Sequence, residues 1–305
     1  MKLASYQFVL FGGKGGVGKT TMATAAAIRL AGAGKTLLFT TDPAPSLADS
    51  LGQRIGSEPM PVSGVPGLFA MEIDAQKALD EFKAQYRRDI LSILEQGTYL
   101  DDDEIEDLFR LDIPGMDEVM SLKKIIDFME QADYRRYIVD TAPSGHTLRL
   151  LMLPDLLDNW IKFLAQLRWK YHTITRQFGG SERIEQADDF LLEMKKTVRR
   201  VRALLQSHEK TEFVVVTIAE KMAVAETADL LHSLRQMHIP SRHIIINNIF
   251  PGDGSAFAAQ RRQMQESYIQ AIHEQFRDHF IIHVPLQPTE VQGVESLRSI
   301  GELLL

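Results

Sequence analysis

The chain has no cysteine among its 305 residues. That absence rules out disulfides, a thiolate zinc site, a cysteine-ligated iron–sulfur cluster and thiol-bound arsenite. No apolar stretch approaches the roughly twenty residues that a membrane-spanning helix needs. No charged-then-apolar leader with a cleavage site precedes the first apolar run, so the expected location is cytoplasmic. Positive charge is also scarce: 34 Lys and Arg stand against 41 Asp and Glu, a net charge of −7. A protein that works by neutralising nucleic-acid phosphates is basic, so no nucleic-acid partner is expected. There is no internal repeat and no low-complexity linker. The nine histidines, His146, His172 and His208 among them, lack close metal-ligand spacing and read as ordinary surface or core residues.

The chain does have an apolar run, Phe8-Val9-Leu10-Phe11, followed by Gly12-Gly13-Lys14-Gly15-Gly16-Val17-Gly18-Lys19-Thr20-Thr21. This reads as a strand, a glycine loop and a helix start. It satisfies the phosphate-loop pattern G-x-x-x-x-G-K-[ST] at Gly13, Gly18, Lys19 and Thr20. Glycines let successive backbone N–H groups curl toward anionic oxygens, and the helix adds the positive end of its dipole. The pattern assigns Lys19 to the β- and γ-phosphates of a nucleotide and the Thr20 hydroxyl to Mg²⁺. Gly13, Gly15, Gly16, Val17, Gly18, Lys19, Thr20 and Thr21 are thus the candidate nucleotide-binding residues. Lys14 is not required by the pattern. The glycines around it leave its side chain little of its own fold to lie on, so it can reach outward to a phosphate on a facing subunit.

Further apolar, β-branched runs lie near Thr36–Thr41, Leu68–Ile73, Tyr137–Asp140, Phe213–Thr217, Ile244–Asn248 and Phe280–Val284, with the first extended back to Tyr6. Most are separated by helical patterns, which predicts an α/β fold with a mostly parallel sheet flanked by helices. Two long helical stretches, about 75–131 and 150–208, interrupt the alternation. Within a single 305-residue domain they are expected to form one helical subdomain over the nucleotide end of the sheet. A break is expected at Gly179-Gly180-Ser181, with Ser181 capping the next helix. The acidic run Asp101-Asp102-Asp103-Glu104 reads as a solvated helix start.

Two strands end in carboxylates. Asp42, after Thr40-Thr41, is placed to orient or deprotonate the attacking water, or else to cap the helix after Pro43. Asp140 ends the run Tyr137-Ile138-Val139-Asp140 in the Walker B manner and is placed to hold Mg²⁺, with Thr20 and Asp42 nearby. Gly145 gives the following loop the freedom to respond to a γ-phosphate.

The string Gly-Lys-Gly-Gly-Val-Gly-Lys-Thr resembles the deviant phosphate loop of the MinD/ParA/NifH/ArsA group of dimerising ATPases. Asp42-Pro43-Ala44, Pro114-Gly115-Met116-Asp117-Glu118, and Asp140 to Arg149 (Asp-Thr-Ala-Pro-Ser-Gly-His-Thr-Leu-Arg) resemble the ArsA family specifically. That family includes the arsenite-pump ATPase and the ATPase that targets tail-anchored membrane proteins in the guided-entry pathway. The resemblance covers essentially the whole chain. It implies ATP and Mg²⁺ as ligands and a homodimer in which Lys14 contacts the partner's nucleotide. It also implies that Asp42 handles the hydrolytic water, Asp140 belongs to the second switch, and Asn247 reads adenine. The Pro285-Leu286-Gln287-Pro288 loop is implied to close over the base.

The eukaryotic targeting factors carry a CxxC pair that binds zinc between subunits. The matching stretch here is Ser255-Ala256-Phe257-Ala258, so no zinc clamp is expected. The arsenite pump is a tandem duplication that uses cysteines, whereas this chain is a single cysteine-free copy. Leu150, Leu151, Met152, Leu156, Leu157, Trp160, Phe163, Leu164 and Leu167 recur at helical spacing, and Met116, Met120 and Met129 lie in the other insertion. In the targeting branch such helices form an apolar groove for a client's membrane helix. The expected function is therefore a dimeric Mg·ATP-dependent ATPase whose nucleotide cycle gates a groove for a hydrophobic membrane-protein client, with a membrane receptor as a further partner. Alternatives are a ParA/MinD-like positional switch, or an ATPase associated with an anion or metalloid pump that lacks thiol-based arsenite binding. An electron donor of the NifH type lacks its cluster ligands.

Overall fold

The computed structural model describes residues 3–41, 47–74, 76–81, 83–85, 87, 116–131, 133–141, 158, 162, 182–251 and 256–304. Asp42, the acidic run at 101–104, the break at 179–181, the loop from Ala142 to Arg149 and the apolar series from Leu150 to Leu167 lie outside the described residues.

The chain divides into two compact units. One comprises Met1–Asp74, Asp127–Leu148 and Leu204–Leu305; the other comprises Ala75–Ile126 and Arg149–Ala203. The first unit is built on an eight-stranded sheet: β1 (Phe8–Gly12), β2 (Thr36–Thr40), β3 (Met60–Pro61), β4 (Leu68–Glu72), β5 (Arg136–Asp140), β6 (Thr211–Ile218), β7 (His243–Ile249) and β8 (Phe280–Pro285). Their order is β3-β4-β2-β5-β1-β6-β7-β8. Every pairing is parallel except β3 with β4. The seven parallel strands sit where the apolar runs predict them. β1 begins at Phe8 rather than Tyr6. The two-residue β3 carries no periodicity to read, and its Pro61 suits a sheet edge, where one ladder donor is dispensable.

The central strands β1, β2 and β5 are buried along their whole lengths. They are near-continuous apolar runs because a parallel sheet is covered on both faces. On one face Val9, Phe11, Leu38, Ile138, Val214 and Val216 pack with helices α1 (Lys19–Ala31) and, at the carboxyl end of the chain, Val294–Leu304. α1 is almost wholly enclosed: Ala23, Ala25, Ala26 and Ala27 are each 0% exposed. Small side chains let the last helix approach closely, and a Cβ on Gly301 would press on the carbonyl oxygen of Ala25. The opposite face carries Phe213, Val215 and Thr217 of β6. There the Thr227 hydroxyl, on the helix Lys221–Gln236, donates to the Thr217 hydroxyl at 2.9 Å.

One buried cation is structural. Arg136, 2% exposed, donates from Nε and Nη2 to the carbonyl of Ala4 at 3.2 and 2.8 Å, and from Nη1 to that of Leu30 at 3.5 Å. It caps the carboxyl end of α1 in the way cations favour helix termini. Burial first, and Arg135 second, push its pKa below the ordinary value.

The second unit is helical where it is described. Residues 76–81 and 83–85 are helical, and most of α2 (Met116–Glu130) and α3 (Glu182–Leu205) lie in this unit. Here α2 and α3 denote these two long helices; Lys221–Gln236 is α4, Ala256–Gln275 is α5 and Val294–Leu304 is α6, with the short Leu47–Leu51 turn left unnumbered. No described helix is long and apolar enough to cross a membrane.

Candidate functional site

The carboxyl ends of the parallel strands converge on the loop between β1 and α1. Gly13 passes so close to β6 that a Cβ there would overlap the carbonyl oxygen of Val216. Gly18 takes the left-handed φ of +92° as it caps α1, and a Cβ there would meet the Asn247 amide nitrogen. Only glycine satisfies both demands without strain. The first turn of α1 is Lys19-Thr20-Thr21 and holds no acid. Its dipole and free N–H groups are therefore offered to an anion from outside the helix.

Two candidate residues, Thr20 and Asp140, meet at the end of β5, joined there by Thr40. Asp140 is 0% exposed and stands in register with Phe11 on one side and Thr40 on the other. The Thr20 hydroxyl donates to Asp140 Oδ2 at 2.7 Å, and the Thr40 hydroxyl lies 3.3 Å from the same oxygen. The Thr141 hydroxyl donates to the Phe11 carbonyl at 2.8 Å, and the Thr41 N–H to the Asp140 carbonyl at 3.0 Å. These contacts lock the tips of β1, β2 and β5 together. A hydroxyl and a carboxylate in contact are hard oxygen donors, the set that suits Mg²⁺. The structure thus brings together Thr20 and Asp140, two of the three expected metal-site residues; Asp42 lies outside the described residues.

Lys19 is only 6% exposed, and its ammonium donates to the Lys14 carbonyl at 3.2 Å, across the concave side of the loop. The Lys14 side chain points elsewhere and forms an ion pair with Glu226 of α4 (Nζ to Oε1 3.1 Å).

Asn247 and Pro285 sit at the carboxyl ends of β7 and β8, on the same side of the loop. Asn247 is 6% exposed, and its amide nitrogen donates to the Val17 carbonyl at 2.9 Å, so it braces the loop directly. Pro285 is exposed, stands in register with Ile249 after a bulge, and accepts from the Gln287 amide at 2.8 Å.

Two participants escape a reading of the sequence. Glu226 is one of several acids on a solvated helix, and nothing in its spacing marks it as the partner of Lys14. Thr40 was legible as a hydroxyl before Asp42, but its contact with Asp140 depends on the β2–β5 register.

Comparison with known proteins fits this geometry. The family model described as anion-transporting ATPase, that of the ArsA ATPases, matches residues 6–305. The Paramecium tetraurelia protein named ATPase ASNA1 homolog 1 is 35% identical over 312 residues, covering 98% of this chain and 92% of its own. Arabidopsis thaliana ATPase GET3B is 35% identical over 322 residues, covering 98% of this chain and 78% of its own. ATPase GET3 of Paracoccidioides brasiliensis (strain Pb03) is 34% identical over 313 residues, covering 98% and 90%. With the family match running from Tyr6 to the last residue, and relatives at 34–35% identity covering nearly the whole of it, the chain belongs to the ArsA ATPase family and its activity is ATP hydrolysis.

Proposed function

We propose that this ATPase binds Mg·ATP in the loop from Gly13 to Thr21 and works as a homodimer whose nucleotide cycle gates a groove for a hydrophobic membrane-protein client. The contact between the Thr20 hydroxyl and Asp140 Oδ2, 2.7 Å, carries the nucleotide part of this reading. It joins the phosphate loop to the end of β5 through the two oxygen donors that would hold Mg²⁺. The metal, when bound, would screen charge on the β- and γ-phosphates.

The chain's own residues do the rest. Backbone N–H groups from Gly13, Gly15, Gly16, Val17, Gly18 and Thr21 cradle the phosphates. Lys19 leaves the Lys14 carbonyl for the β- and γ-phosphate oxygens. Asp42 orients the hydrolytic water and would be a further residue of the metal site. Asn247 keeps its amide nitrogen on Val17 and offers its amide oxygen to the adenine amino group, while the loop at Pro285 closes over the base. Lys14 exchanges Glu226 for the partner subunit's nucleotide, so the closed dimer forms when both sites are filled.

We assign the client groove to the helical subdomain expected at 75–131 and 150–208; the support for it is that the chain has a second compact unit, 75–126 with 149–203. Relatives named GET3 support a tail-anchored client over an anion cargo, and the absence of cysteine removes thiol-bound arsenite. A zinc clamp is not part of the proposed dimer, and a cytoplasmic location accompanies the targeting role. No observation favours the positional-switch alternative, and a net charge of −7 opposes its nucleic-acid form.

The test is co-expression with a tail-anchored segment followed by purification in ATP. Copurification with the wild type, lost in Asp140→Asn, supports the reading. A working ATPase that captures no such segment defeats the client assignment.

A further inference from the structure

At the amino-terminal ends of β6, β7 and β8, the opposite end of the sheet from the glycine loop, lies a cavity of about 310 Å³. Four segments wall it: His208 before β6, the last turn of α4, the connection from His238 to Arg242, and Asp278-His279 before β8. None of these takes part in the nucleotide site.

The polar lining is one-sided. Arg235 and Arg242 bring two permanent positive charges, and His208, His238 and His279 add three imidazoles, against a single lining carboxylate, Asp278. Arg242 donates to the Tyr6 hydroxyl at 2.6 Å and lies 3.5 Å from His208 Nδ1. Neither arginine makes an ion pair with a carboxylate among the described residues. The nearby Glu212 is 0% exposed, and its Oε1 is occupied by the Arg242 backbone N–H and by His243 Nδ1, each at 2.7 Å. Apart from Ser241, the rest of the lining is apolar, with Leu231, Leu234 and Ile239 buried.

His238 holds a left-handed φ of +57° as it caps the carboxyl end of α4, its own N–H donating to the Arg235 carbonyl at 3.1 Å and the Ile239 N–H to the Leu234 carbonyl at 2.9 Å, and this cap sets its side chain at the cavity wall. The Ser241 hydroxyl is buried in the wall without a hydrogen-bond partner, and this has no structural explanation. Burial lowers the His279 pKa, and Arg235 adds to this, while a backbone hydrogen bond to Phe276 and the charges of Asp278 and Glu212 act in the other direction. Arg235 alone could be read as a cation complementing the α4 dipole. That reading does not cover Arg242, which follows Ser241 on a different segment, or the unpartnered Ser241 hydroxyl.

We propose that this cavity binds a small organic oxyanion carrying a compact apolar group, its charge set between Arg235 and Arg242 and its apolar part against Leu231 and Ile239. Carboxylates and phosphate monoesters share the required chemistry, and a cavity of this volume suits such a molecule.

Titration calorimetry on the full chain, without nucleotide, distinguishes them. Benzoate and phenyl phosphate serve as probes, with benzyl alcohol as the uncharged control. At least one anion is expected to bind saturably, while benzyl alcohol does not; whichever anion binds more tightly identifies the headgroup. Arg235→Gln changes an exposed side chain and is expected to weaken binding about tenfold or more. His238→Gly suits the backbone and is expected to weaken it several-fold without loss of thermal stability. Absence of saturable binding by both anions overturns the proposal. So does wild-type affinity in the Arg235→Gln, His238→Gly double variant. ATPase activity is not needed as a readout, so this test stands apart from that of the nucleotide site.

Discussion

Lys14 and Glu226 are joined by an ion pair of 3.1 Å between the phosphate loop and α4, with side chains 30% and 36% exposed. The proposed dimer needs that lysine on the partner's nucleotide, so the pair competes with closure. An exposed pair of this kind contributes at most about 1 kcal/mol. Glu226→Gln is therefore expected to raise the dimer fraction in ATP by no more than about fivefold, with little change in its absence. Lys14→Ala is expected to abolish the nucleotide dependence. Sedimentation velocity with and without ATP measures both, and an unaltered dimer in Lys14→Ala removes this lysine from the interface.

Asp42→Asn is expected to retain Mg·ATP binding and to lose turnover by two orders of magnitude or more, since positioning of the water is lost while the phosphate cradle stays. Asp140→Asn is expected to lose both, because the Thr20 hydroxyl is held on that carboxylate, which the proposed metal would share. Calorimetric affinity set beside phosphate release separates the two roles. Ordinary turnover in Asp42→Asn would exclude Asp42 from the chemistry.

Gly18→Ala combines a left-handed φ with an overlap on Asn247. A loss of about 1–3 kcal/mol in folding stability is expected, together with loss of nucleotide binding. Pairing it with Asn247→Ala removes the overlap but not the backbone penalty. Urea denaturation of the two single variants and the double variant should therefore show a double-variant loss smaller than the sum. Strict additivity would mean that the overlap is relieved by other movements.

Arg136→Met keeps an unbranched apolar stem but is shorter, and leaves the Ala4 carbonyl without its guanidinium donor, while the Leu30 carbonyl keeps the Ala33 N–H at 2.9 Å. A destabilisation of about 1–3 kcal/mol is expected, with ATP affinity per folded molecule preserved. A neutral result would mean that water replaces the guanidinium.

His273 and His283 face each other with their Nε2 atoms 3.0 Å apart. Burial, then the His273 charge, lower the His283 pKa, with Glu266 opposing. The unfolded chain therefore binds a proton at this residue more readily than the folded one, and stability falls as pH drops through the window just below the ordinary histidine value. His283→Gln is expected to reduce the loss of stability between pH 7.5 and pH 5.5, measured as the shift in urea midpoint. An unchanged acid sensitivity would place its source elsewhere.

Much of this molecule could be read before its coordinates. Seven strands were visible because each is a largely apolar run of the length a doubly covered parallel strand requires, and the glycine loop was visible because its chemistry fixes its spacing. What escaped depends on register or on distance through space. Thr40 reaches Asp140 only because β2 and β5 pair residue for residue at those positions. Asn247 was assigned to the adenine by resemblance, and its hydrogen bond to Val17 spans 230 positions of sequence. The cavity beneath β6 to β8 gathers side chains from four separated segments, none of which forms a motif by itself.

The alanine-lined packing of α1 against the final helix has a consequence for mechanical coupling. Where Gly301 rests on the Ala25 carbonyl the two backbones touch directly, and around that point Leu297 and Ile300 are locked into the same buried core as Met22 and Ile28. A rigid-body shift at the Lys19 end would thus be carried to the far terminus of the polypeptide, and amide exchange along Val294–Leu304 would report on occupancy of the loop although none of those residues touches it.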